Sequence, residues 1–356
     1  MDDAKYVFGL GANLNYYMIH GGTTFEFWSG SVSSASATTS YDTGAPISEN
    51  GDVNPTYLAI RDWISTIPNW PTPPQAIPQN RTKVNYGQVM LNNIGSVHNL
   101  RDRITGSCQT SVDPMSFEDL NVPYGYVLYE TNLTFPGTIL NIPLLKDYGF
   151  VYLDGVLQGS IVANYYDQNR NSIVLQNATS GKTLSIIVEN RGRLDINTIN
   201  DYKGILSQVT LNYKPLQQWK QCELMPKYSP PSLFDILNEL LEILMFQYTP
   251  PPTAGANVFI GTFESKGDGD AWFDATGWGK GQVYVNGFNI GRYWSTAGPQ
   301  QALYIPSSLI KSHNELVVME LTGMKNCPNS MCTANIVDHP AIVFQQINQS
   351  PFDPPV

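Results

Sequence analysis

The clearest pattern of apolar and polar positions is a hairpin signal that occurs once in each half of the chain. Two apolar runs flank Asp154-Gly155, and two more flank Asn286-Gly287. Both residues of such a two-residue turn take positive φ, which Asn, Asp and Gly adopt more readily than other residues. A glycine also stands four residues beyond each turn. We predict one hairpin unit used twice, in two related β-sandwiches; hairpins are common, and a chance likeness is the alternative.

The first 66 residues carry a different pattern. Residues 15–19 are almost continuously apolar, as in a buried strand of a parallel sheet. Asn54 and Pro55 then suit the cap and first position of a helix, and apolar residues recur at helical spacing over 57–67. A strand followed by a helix is one unit of a βα-repeat fold. One unit cannot close a barrel, so we expect this segment to need partners from outside the chain.

The changes of pattern divide the chain into six predicted regions. These are the C-terminal remnant of a barrel (1–66), a Pro-rich linker (67–83), a first β-sandwich opened by a strand at 84–93 (84–228), a Pro-rich insertion with a helix at 233–246 (229–254), a second β-sandwich (255–347) and a tail (348–356). The predicted fold class is mainly β: the incomplete C-terminal end of a (β/α)8 barrel, followed by two jelly-roll β-sandwiches.

Composition supports this fold class and excludes some partners. Only 14% of the 356 residues are charged, 12% are aromatic, and Gly (29) and Pro (25) are frequent, as in all-β proteins. The net charge of −10, without clusters of Lys and Arg, argues against a nucleic-acid partner. No apolar run approaches the ~18 residues of a membrane span. We see no sign of a metal site or a cofactor, so we expect neither.

Cysteines and glycosylation sequons indicate a secretory protein. Cys327 and Cys332 stand in a Pro-containing loop and predict a disulfide; a zinc site is the weaker alternative because no second ligand pair follows. The chain contains four sequons, at Asn80, Asn132, Asn177 and Asn348. We therefore expect a lysosomal or extracellular protein. The acidic N-terminus does not resemble a signal peptide, and we expect an upstream portion that carries one.

Four segments together resemble one known family. They are NYYMIHGGTTFEFWSG (15–30), SYDTGAPISENGD (40–52), VENRGRLDINTINDYKGI (188–205) and GWGKGQVYVNGFNIGRYWSTAGPQQALYIP (277–306). In this order they resemble motifs of the acid β-galactosidases of glycoside hydrolase family 35. The resemblance implies a retaining hydrolase that removes terminal β-linked galactose, with galactose-binding-like sandwiches.

The resemblance also places the chemistry outside this chain. The family's acid/base Glu and nucleophile Glu both precede the GGTNF-type motif, so the resemblance assigns no catalytic residue here. The chain as given is expected to be inactive, and its partner to be a galactose-containing oligosaccharide or glycoconjugate. The alternative is a non-catalytic carbohydrate-binding or scaffold protein derived from the family. A homo-oligomer is left open.

Carried over residue by residue, the resemblance implies two remnants of the substrate pocket, Phe27 and Trp28. Phe27 occupies a position where the family usually has a tyrosine, Thr24 replaces the usual Asn, and a tyrosine that often follows the VEN motif is replaced around Ile196. These departures weaken the expected pocket. The residues to which the motifs imply a structural role are Arg193, Asn286, Gly287, Arg292 and Trp294. Arg193 is expected to bridge sandwich and barrel.

Carboxylates and aromatic side chains are the remaining candidates for sugar chemistry, because glycoside hydrolysis needs a pair of carboxyl groups. The candidate carboxylates near the barrel-like segment are Glu26, Asp42, Glu49 and Asp52. Glu26 would lie near the end of a strand, although a surface or loop role is favoured. The candidate aromatics in the last sandwich are Trp272, Trp278, Tyr293 and Trp294, for which burial in the core is favoured over sugar contact.

Overall fold

The computed structural model describes residues 1–32, 35–36, 38–41, 44–72, 74–162, 171–194, 200–224, 255–323 and 331–343. The predicted insertion with its helix, the predicted tail, and Asp42, Ile196, Cys327 and Asn348 lie outside these ranges. The described chain is mainly β, as predicted.

The N-terminal segment contains two helices and little sheet. Its elements are α1 (Asp2–Gly9), β1 (Ser31–Val32), β2 (Ala35–Ser36) and α2 (Pro55–Ser65). Helix α2 begins as predicted, since the Asn54 side chain accepts hydrogen bonds from the backbone N–H groups of Thr56 (2.9 Å) and Tyr57 (3.2 Å). Pro55 is its first residue, where a missing N–H costs no hydrogen bond.

The buried strand predicted at residues 15–19 is wrong. The segment forms no strand, and its side chains are in water, with Tyr17 88% and Ile19 45% exposed. An apolar run becomes a buried strand only where other strands pair with it and both faces are covered. In the described residues the Ile19 carbonyl accepts one backbone hydrogen bond, from the N–H of Ile47 (2.9 Å), beside an isolated bridge between His20 and Ile47.

The middle of the chain supplies one helix and most of two sheets. Its elements are β3 (Gly87–Ser96), α3 (Val97–Ile104), β4 (Thr105–Ser111), β5 (Gly125–Asn132), β6 (Ile139–Asn141), β7 (Leu145–Lys146), β8 (Tyr148–Leu153), β9 (Val156–Val162), β10 (Ser172–Val174), β11 (Thr183–Asn190), β12 (Gly204–Ile205), β13 (Thr210–Leu211), β14 (Lys214–Pro215) and β15 (Trp219–Leu224). A six-stranded antiparallel sheet, ordered β4-β15-β5-β11-β8-β9, packs on a four-stranded sheet, β10-β6-β13-β14. Together they form the first sandwich.

The C-terminal part forms the second sandwich. Its strands are β16 (Asn257–Glu264), β17 (Ala271–Asp274), β18 (Lys280–Val285), β19 (Phe288–Trp294), β20 (Ala302–Ile305), β21 (His313–Glu320) and β22 (Met331–Val337). With β3 they build one eight-stranded antiparallel sheet in the order β19-β18-β21-β16-β3-β22-β17-β20. The two ends of this order, β19 and β20, contact each other, so the sheet curls around its own core.

The position of β3 corrects the predicted first boundary. The strand expected to open the first sandwich pairs instead with β16 and β22 of the second. Alternating apolar and polar positions predict that this segment is a strand, but they do not identify the strand with which it pairs. One partner, β16, lies more than 160 residues away along the chain, as the pairing of Asn93 with Phe259 shows. The second sandwich therefore takes one strand from before the first sandwich in the chain and its other strands from after it.

Both predicted hairpins are present and share their details. Asp154 and Gly155 have φ of 49° and 78°, and Asn286 and Gly287 have 52° and 81°. Each hairpin also contains a bulge where the second strand reaches its glycine, Gly159 or Gly291. The hairpin β8-β9 lies beside β11 at one edge of the six-stranded sheet. In the same way, the hairpin β18-β19 lies beside β21 at one end of the eight-stranded sheet. The prediction of one unit used twice is confirmed at the level of the hairpin.

The two sandwiches share an apolar interface. In β5, Leu128 faces the interface whereas its neighbour Val127 faces the core of the first sandwich. In β16, Val258 faces the interface and Phe259 faces the core of the second. Period-two alternation thus buries both faces of the central strands β5, β8 and β11 of the six-stranded sheet, which lies between the other two sheets, whereas the edge strand β4 is mostly exposed. Helix α3 caps this interface with three buried side chains.

One disulfide joins neighbouring strands of the six-stranded sheet. Cys108 on β4 lies opposite Cys222 on β15 and is bonded to it. The sequence spacing of 114 residues gave no hint of this pair. Cys332 is also disulfide-bonded, which agrees with a bridge in the C-terminal loop. Its predicted partner Cys327 is outside the described residues, so that pairing stays a prediction.

Candidate functional site

The loop that carries Phe27 and Trp28 is attached to the second sandwich by its backbone. The N–H of Glu26 donates to the carbonyl of Asn289 (3.1 Å), and the side chain of Gln282 donates to the carbonyl of Glu26 (3.0 Å). Glu26 itself has a φ of 59°, which turns the chain sharply before the two aromatic residues. The loop is therefore held by the hairpin β18-β19.

The two predicted pocket residues have different environments. Phe27 packs on the interface core, with ring centroids 5.8 Å from Tyr124 and 5.9 Å from Tyr126. Trp28 is 65% exposed; its Nε1 donates to Glu26 (3.0 Å), and its ring centroid is 5.7 Å from that of Tyr124. Phe27 thus anchors the loop, whereas Trp28 presents an aromatic face to solvent.

Beneath this loop lies a buried charge cluster that joins three parts of the chain. Glu189, at the end of β11, is 2.6 Å from the Lys280 ammonium and 3.1 Å from the Arg292 guanidinium. The other end of Arg292 donates to the hydroxyl of Ser29 (2.8 Å). Arg292 therefore connects the N-terminal loop with both sandwiches, and a buried cluster of this kind fixes their relative orientation if every charge keeps a partner.

Aromatic rings complete the surroundings of Lys280. Its ammonium lies 4.1 Å from the ring centroid of Trp294 and 5.6 Å from that of Tyr148, within the range of cation–π attraction. Burial lowers the pKa of Lys280 to about 7, against the opposing effect of Glu189. Burial alone would raise the pKa of Glu189, but Lys280 and Arg292 lower it overall.

Arg193 joins the segments through its backbone. Its carbonyl accepts a hydrogen bond from the N–H of Ser31 (3.0 Å), whereas its guanidinium binds the Asp201 carbonyl and the Glu118 carboxylate, both in the first sandwich. Arg193 thus contacts the N-terminal segment through its backbone, and the side chain of Arg292 makes a further contact with that segment. Gly192 beside it leaves no room for a Cβ, because the Ser29 carbonyl oxygen would lie 2.1 Å away.

Asn286 and Gly287 form the turn between β18 and β19 and lie away from the loop of Trp28. The Asn286 amide donates to the carbonyl of Leu309 (2.7 Å) and to Asn314 (2.8 Å). Its oxygen accepts from the N–H of Glu315 (3.0 Å). These bonds fix the turn against the neighbouring strand, so their arrangement is structural.

The candidate carboxylates are held by polar side chains. Glu49 accepts hydrogen bonds from the hydroxyl of Thr23 (2.7 Å) and from the indole of Trp272 (3.0 Å). Asp52 forms an ion pair with Lys83; burial raises its pKa, but the contacts with Lys83 and others lower it overall. An acid catalyst needs a raised pKa, so Asp52 does not suit that role.

Three of the four candidate aromatics of the last sandwich are core residues, as favoured above. Trp272, Trp278 and Tyr293 are each at most 2% exposed. Trp294 packs against the interface. Of the four sequons, those at Asn80, Asn132 and Asn177 expose their asparagine.

No group of three or more potential metal ligands occurs among the residues that the structure describes. In the same part of the chain, no helix has the length and apolar character needed to cross a membrane.

Comparison with known proteins follows the order of these regions. The model of glycosyl hydrolases family 35 matches residues 1–67, the first all-beta domain of beta-galactosidase matches 114–225, and its galactose-binding domain matches 258–315. The chain thus resembles family 35 in its N-terminal segment and domains of beta-galactosidase beyond it.

Curated relatives agree with this resemblance. Beta-galactosidase of Bos taurus is 34% identical over 95% of this chain and 53% of that protein. Beta-galactosidase of Homo sapiens is 33% identical over 93% of this chain and 51% of that protein. Beta-galactosidase-1-like protein of Mus musculus is 33% identical over 90% of this chain and 49% of that protein. The chain spans about half the length of the curated relatives it matches.

Solved structures add little. A lectin of Pleurotus ostreatus is 13% identical over 66% of this chain and 80% of the lectin, with a TM-score of 0.18, which is too low to support an argument.

Sequence reasoning missed the buried cluster and the ring of Tyr124. A signal was present, because Glu189 and Lys280 are charged residues within otherwise apolar strands. Charges are rarely buried without partners, so two such positions of opposite sign predict each other. The ring of Tyr124 gave no comparable signal, since its contact with Trp28 depends on the docking of distant segments.

Proposed function

We propose that this chain is part of a retaining hydrolase that removes terminal β-linked galactose from glycoconjugates. In this proposal the two sandwiches are a rigid scaffold that positions the Trp28 loop, and catalysis needs two carboxyl groups supplied by a longer protein. The observation that carries the proposal is the anchoring of Glu26 and Ser29 by Gln282 and Arg292. Both of these lie in the long family-like motif at 277–306.

The same anchoring explains why the motif is long. Lys280, Gln282 and Arg292 each contact another part of the chain from a single hairpin. A hairpin that must hold a loop and a second domain at once tolerates few substitutions, because lost partners would leave buried polar groups unsatisfied. The scaffold thus acts on the reaction by geometry, since small displacements of sugar-contacting groups lower the rate strongly.

The test is hydrolysis of 4-nitrophenyl β-galactoside at pH 4 to 5. We expect no turnover by the purified chain, because proton transfer and covalent catalysis are both missing. We expect activity from a longer protein that contains the rest of the barrel with its two Glu residues. Turnover by the chain alone that disappears in Glu26→Gln or Glu49→Gln would overturn the proposal and identify a carboxyl group of this segment as catalytic.

A second candidate is a carbohydrate-binding or scaffold protein without catalysis. The exposed ring of Trp28 beside Tyr124 favours it, because flat rings stack on the apolar faces of sugars. The two candidates separate in a longer protein: if it binds galactosides and Trp28→Ala weakens that binding, but hydrolysis is absent, the second is correct.

We also propose a lysosomal or extracellular location. The bridge Cys108–Cys222 persists only in an oxidising compartment, and three described sequons expose their asparagine. Mass spectrometry of the protein from its native source tests this: glycan on these asparagines supports it, and free thiols at both cysteines would contradict it.

A further inference from the structure

A cleft of about 470 Å³ opens on the first sandwich, away from any residue discussed as pocket or anchor. One wall is the loop that begins at Asp113 and contains Asp119. The other is the segment from Tyr202 to Gln208. The cleft therefore lies between two connections of the first sandwich and shares no lining residue with the group around Trp28.

The two walls are tied together by backbone pairing. The N–H of Phe117 donates to the carbonyl of Lys203 (2.9 Å), and Ser116 forms an antiparallel bridge with Gly204. Gly204 has a φ of 101°, and a Cβ there would lie 2.5 Å from the Tyr129 hydroxyl, so only glycine allows this close approach. The width of the cleft is thus fixed by the fold.

A buried ion cluster fixes the wall that carries Tyr202. Lys203 lies 2.8 Å from both Asp147 and Asp201, and Asp201 also binds Lys146 at 3.2 Å. Asp201 and Lys203 are almost completely buried, whereas Tyr202 between them is 51% exposed. Because both neighbours are held inside, the ring of Tyr202 projects outward at the edge of the cleft with little freedom of its backbone.

Polar groups on both walls have unused hydrogen-bonding capacity. Asp113 is exposed and receives only a long hydrogen bond (3.4 Å) on one oxygen, from Gln208. Asp119 uses one oxygen to bind the hydroxyl and N–H of Ser116. The hydroxyl of Ser207 accepts from the N–H of Leu144 and keeps its proton to donate. A carboxylate has about four acceptor positions, so each Asp can accept further bonds from hydroxyl groups.

We propose that this cleft binds a neutral pyranose unit of a glycan. The Tyr202 ring would stack on the apolar face of the sugar, and Asp113, Asp119 and Ser207 would bind its hydroxyl groups. Two carboxylates in the lining oppose anionic sugars, so uronic acids and sialic acid are excluded as preferred ligands. The inference does not depend on the proposed hydrolase activity.

The experiment is saturation-transfer NMR on the whole chain with methyl β-galactopyranoside as the probe. We expect transfer to the ring protons of the sugar, with a dissociation constant on the order of 1 mM. Tyr202→Ala should weaken binding at least about tenfold, as expected for loss of an aromatic anchor. Asp113→Ala should weaken it by a smaller factor. Glucuronic acid should bind more weakly than the neutral sugar.

A matched control makes the outcome decisive. Tyr213→Ala removes a ring that is 90% exposed in the same domain but outside the cleft, and it should leave binding unchanged. Absence of transfer at about 50 mM probe, which is far above the expected constant, would overturn the inference. So would loss of transfer in Trp28→Ala with retention in Tyr202→Ala, or stronger binding of the uronic acid. Circular dichroism shows whether each variant is folded.

Discussion

The N-terminal segment and the two sandwiches differ in how completely they bury their apolar side chains. In the segment, helix α1 buries no residue and α2 buries only Ile60, while Tyr17 is 88% exposed. In the sandwiches, whole strands such as β8 and β18 are buried along their length. The sandwiches are stabilised by their own cores, whereas the segment is held by a few contacts with them. Stability should therefore respond very differently to matched changes in the two regions.

The largest expected effect is at the buried charge cluster. Glu189→Gln leaves Lys280 and Arg292 buried without their anionic partner, which should lower the free energy of unfolding by about 3–5 kcal/mol at neutral pH. Urea unfolding followed by fluorescence measures this. Glu264→Gln is the control, since that exposed carboxylate pairs only with His313 among the contacts described and should change stability little. An equal loss in both variants would contradict the assignment.

The pH dependence of the free energy of unfolding of the same variant is an independent test of the charge cluster. The folded state lowers the pKa of Glu189 below its ordinary value of 4.5, so the unfolded chain takes up a proton first as the pH falls. The stabilisation by this carboxylate is complete above pH 4.5 and is lost as the pH falls through the lower folded value. The difference in stability between wild type and Glu189→Gln should therefore narrow in acid. A stability difference between wild type and variant that does not change with pH would contradict this prediction.

A matched pair of phenylalanines tests the comparison directly. Phe150→Ala at the interface should cost about 3–5 kcal/mol, because its ring is 1% exposed and a cavity remains. Phe8→Ala in α1 should cost under about 1 kcal/mol, since its ring packs edge-on against Trp63 and stays partly in water. Thermal and urea unfolding of the two variants, side by side, give both numbers. Similar costs would show that the segment has a core of its own.

The disulfide comes next in size. Replacing Cys108 and Cys222 together by serine should cost about 2–5 kcal/mol, because the bridge closes a long loop in the unfolded chain. Because both cysteines lie in the first sandwich, the loss should appear in the unfolding of that domain. Hydrogen exchange of β5 and β15 locates the effect. Exchange that becomes faster only in the N-terminal segment would refute it.

The smallest expected effect is at the cap of α2. Asn54→Ala removes acceptors for two backbone N–H groups and should cost about 0.5–2 kcal/mol locally. Since the segment contributes little to the cores, we expect faster exchange of α2 amides and no change in the unfolding of the sandwiches. Asn54→Asp keeps the acceptor for both N–H groups but loses the amide's hydrogen bond to the Ala45 carbonyl, so it separates the cap from that second contact. A loss of global stability would show that the segment is coupled to the sandwiches more tightly than proposed.

Local signals predicted local structure well. The Asp154-Gly155 and Asn286-Gly287 turns and the cap at Asn54 each follow from the φ preference or hydrogen-bonding of one or two residues. The partner of β3 and the bond between Cys108 and Cys222 could not be predicted, because both depend on which distant segments pair. The apolar run at 15–19 gave a wrong prediction for the same reason, because burial depends on the segments that pack around a residue as well as on the residue itself.

In the candidate site, too, some features could be predicted from the sequence and others could not. Phe27 and Trp28 were found from a motif, yet the motif could not tell which ring is covered and which faces water. That depends on Tyr124 and on the docking of two domains. Lys280 and Glu189 could have been found as opposite charges in apolar strands, whereas Tyr202 gave no signal, because its exposure results from the burial of Asp201 and Lys203 on either side.

The central strands of the six-stranded sheet have no solvent-facing side. Substitutions on β5, β8 or β11 therefore meet close packing whichever way the side chain points, and neither face offers neutral positions. Random mutagenesis with selection for folded protein should leave these strands nearly unchanged. Accepted changes should accumulate in the connections at their ends, including the walls of the cleft, so new ligand preferences could arise there without any alteration of the framework.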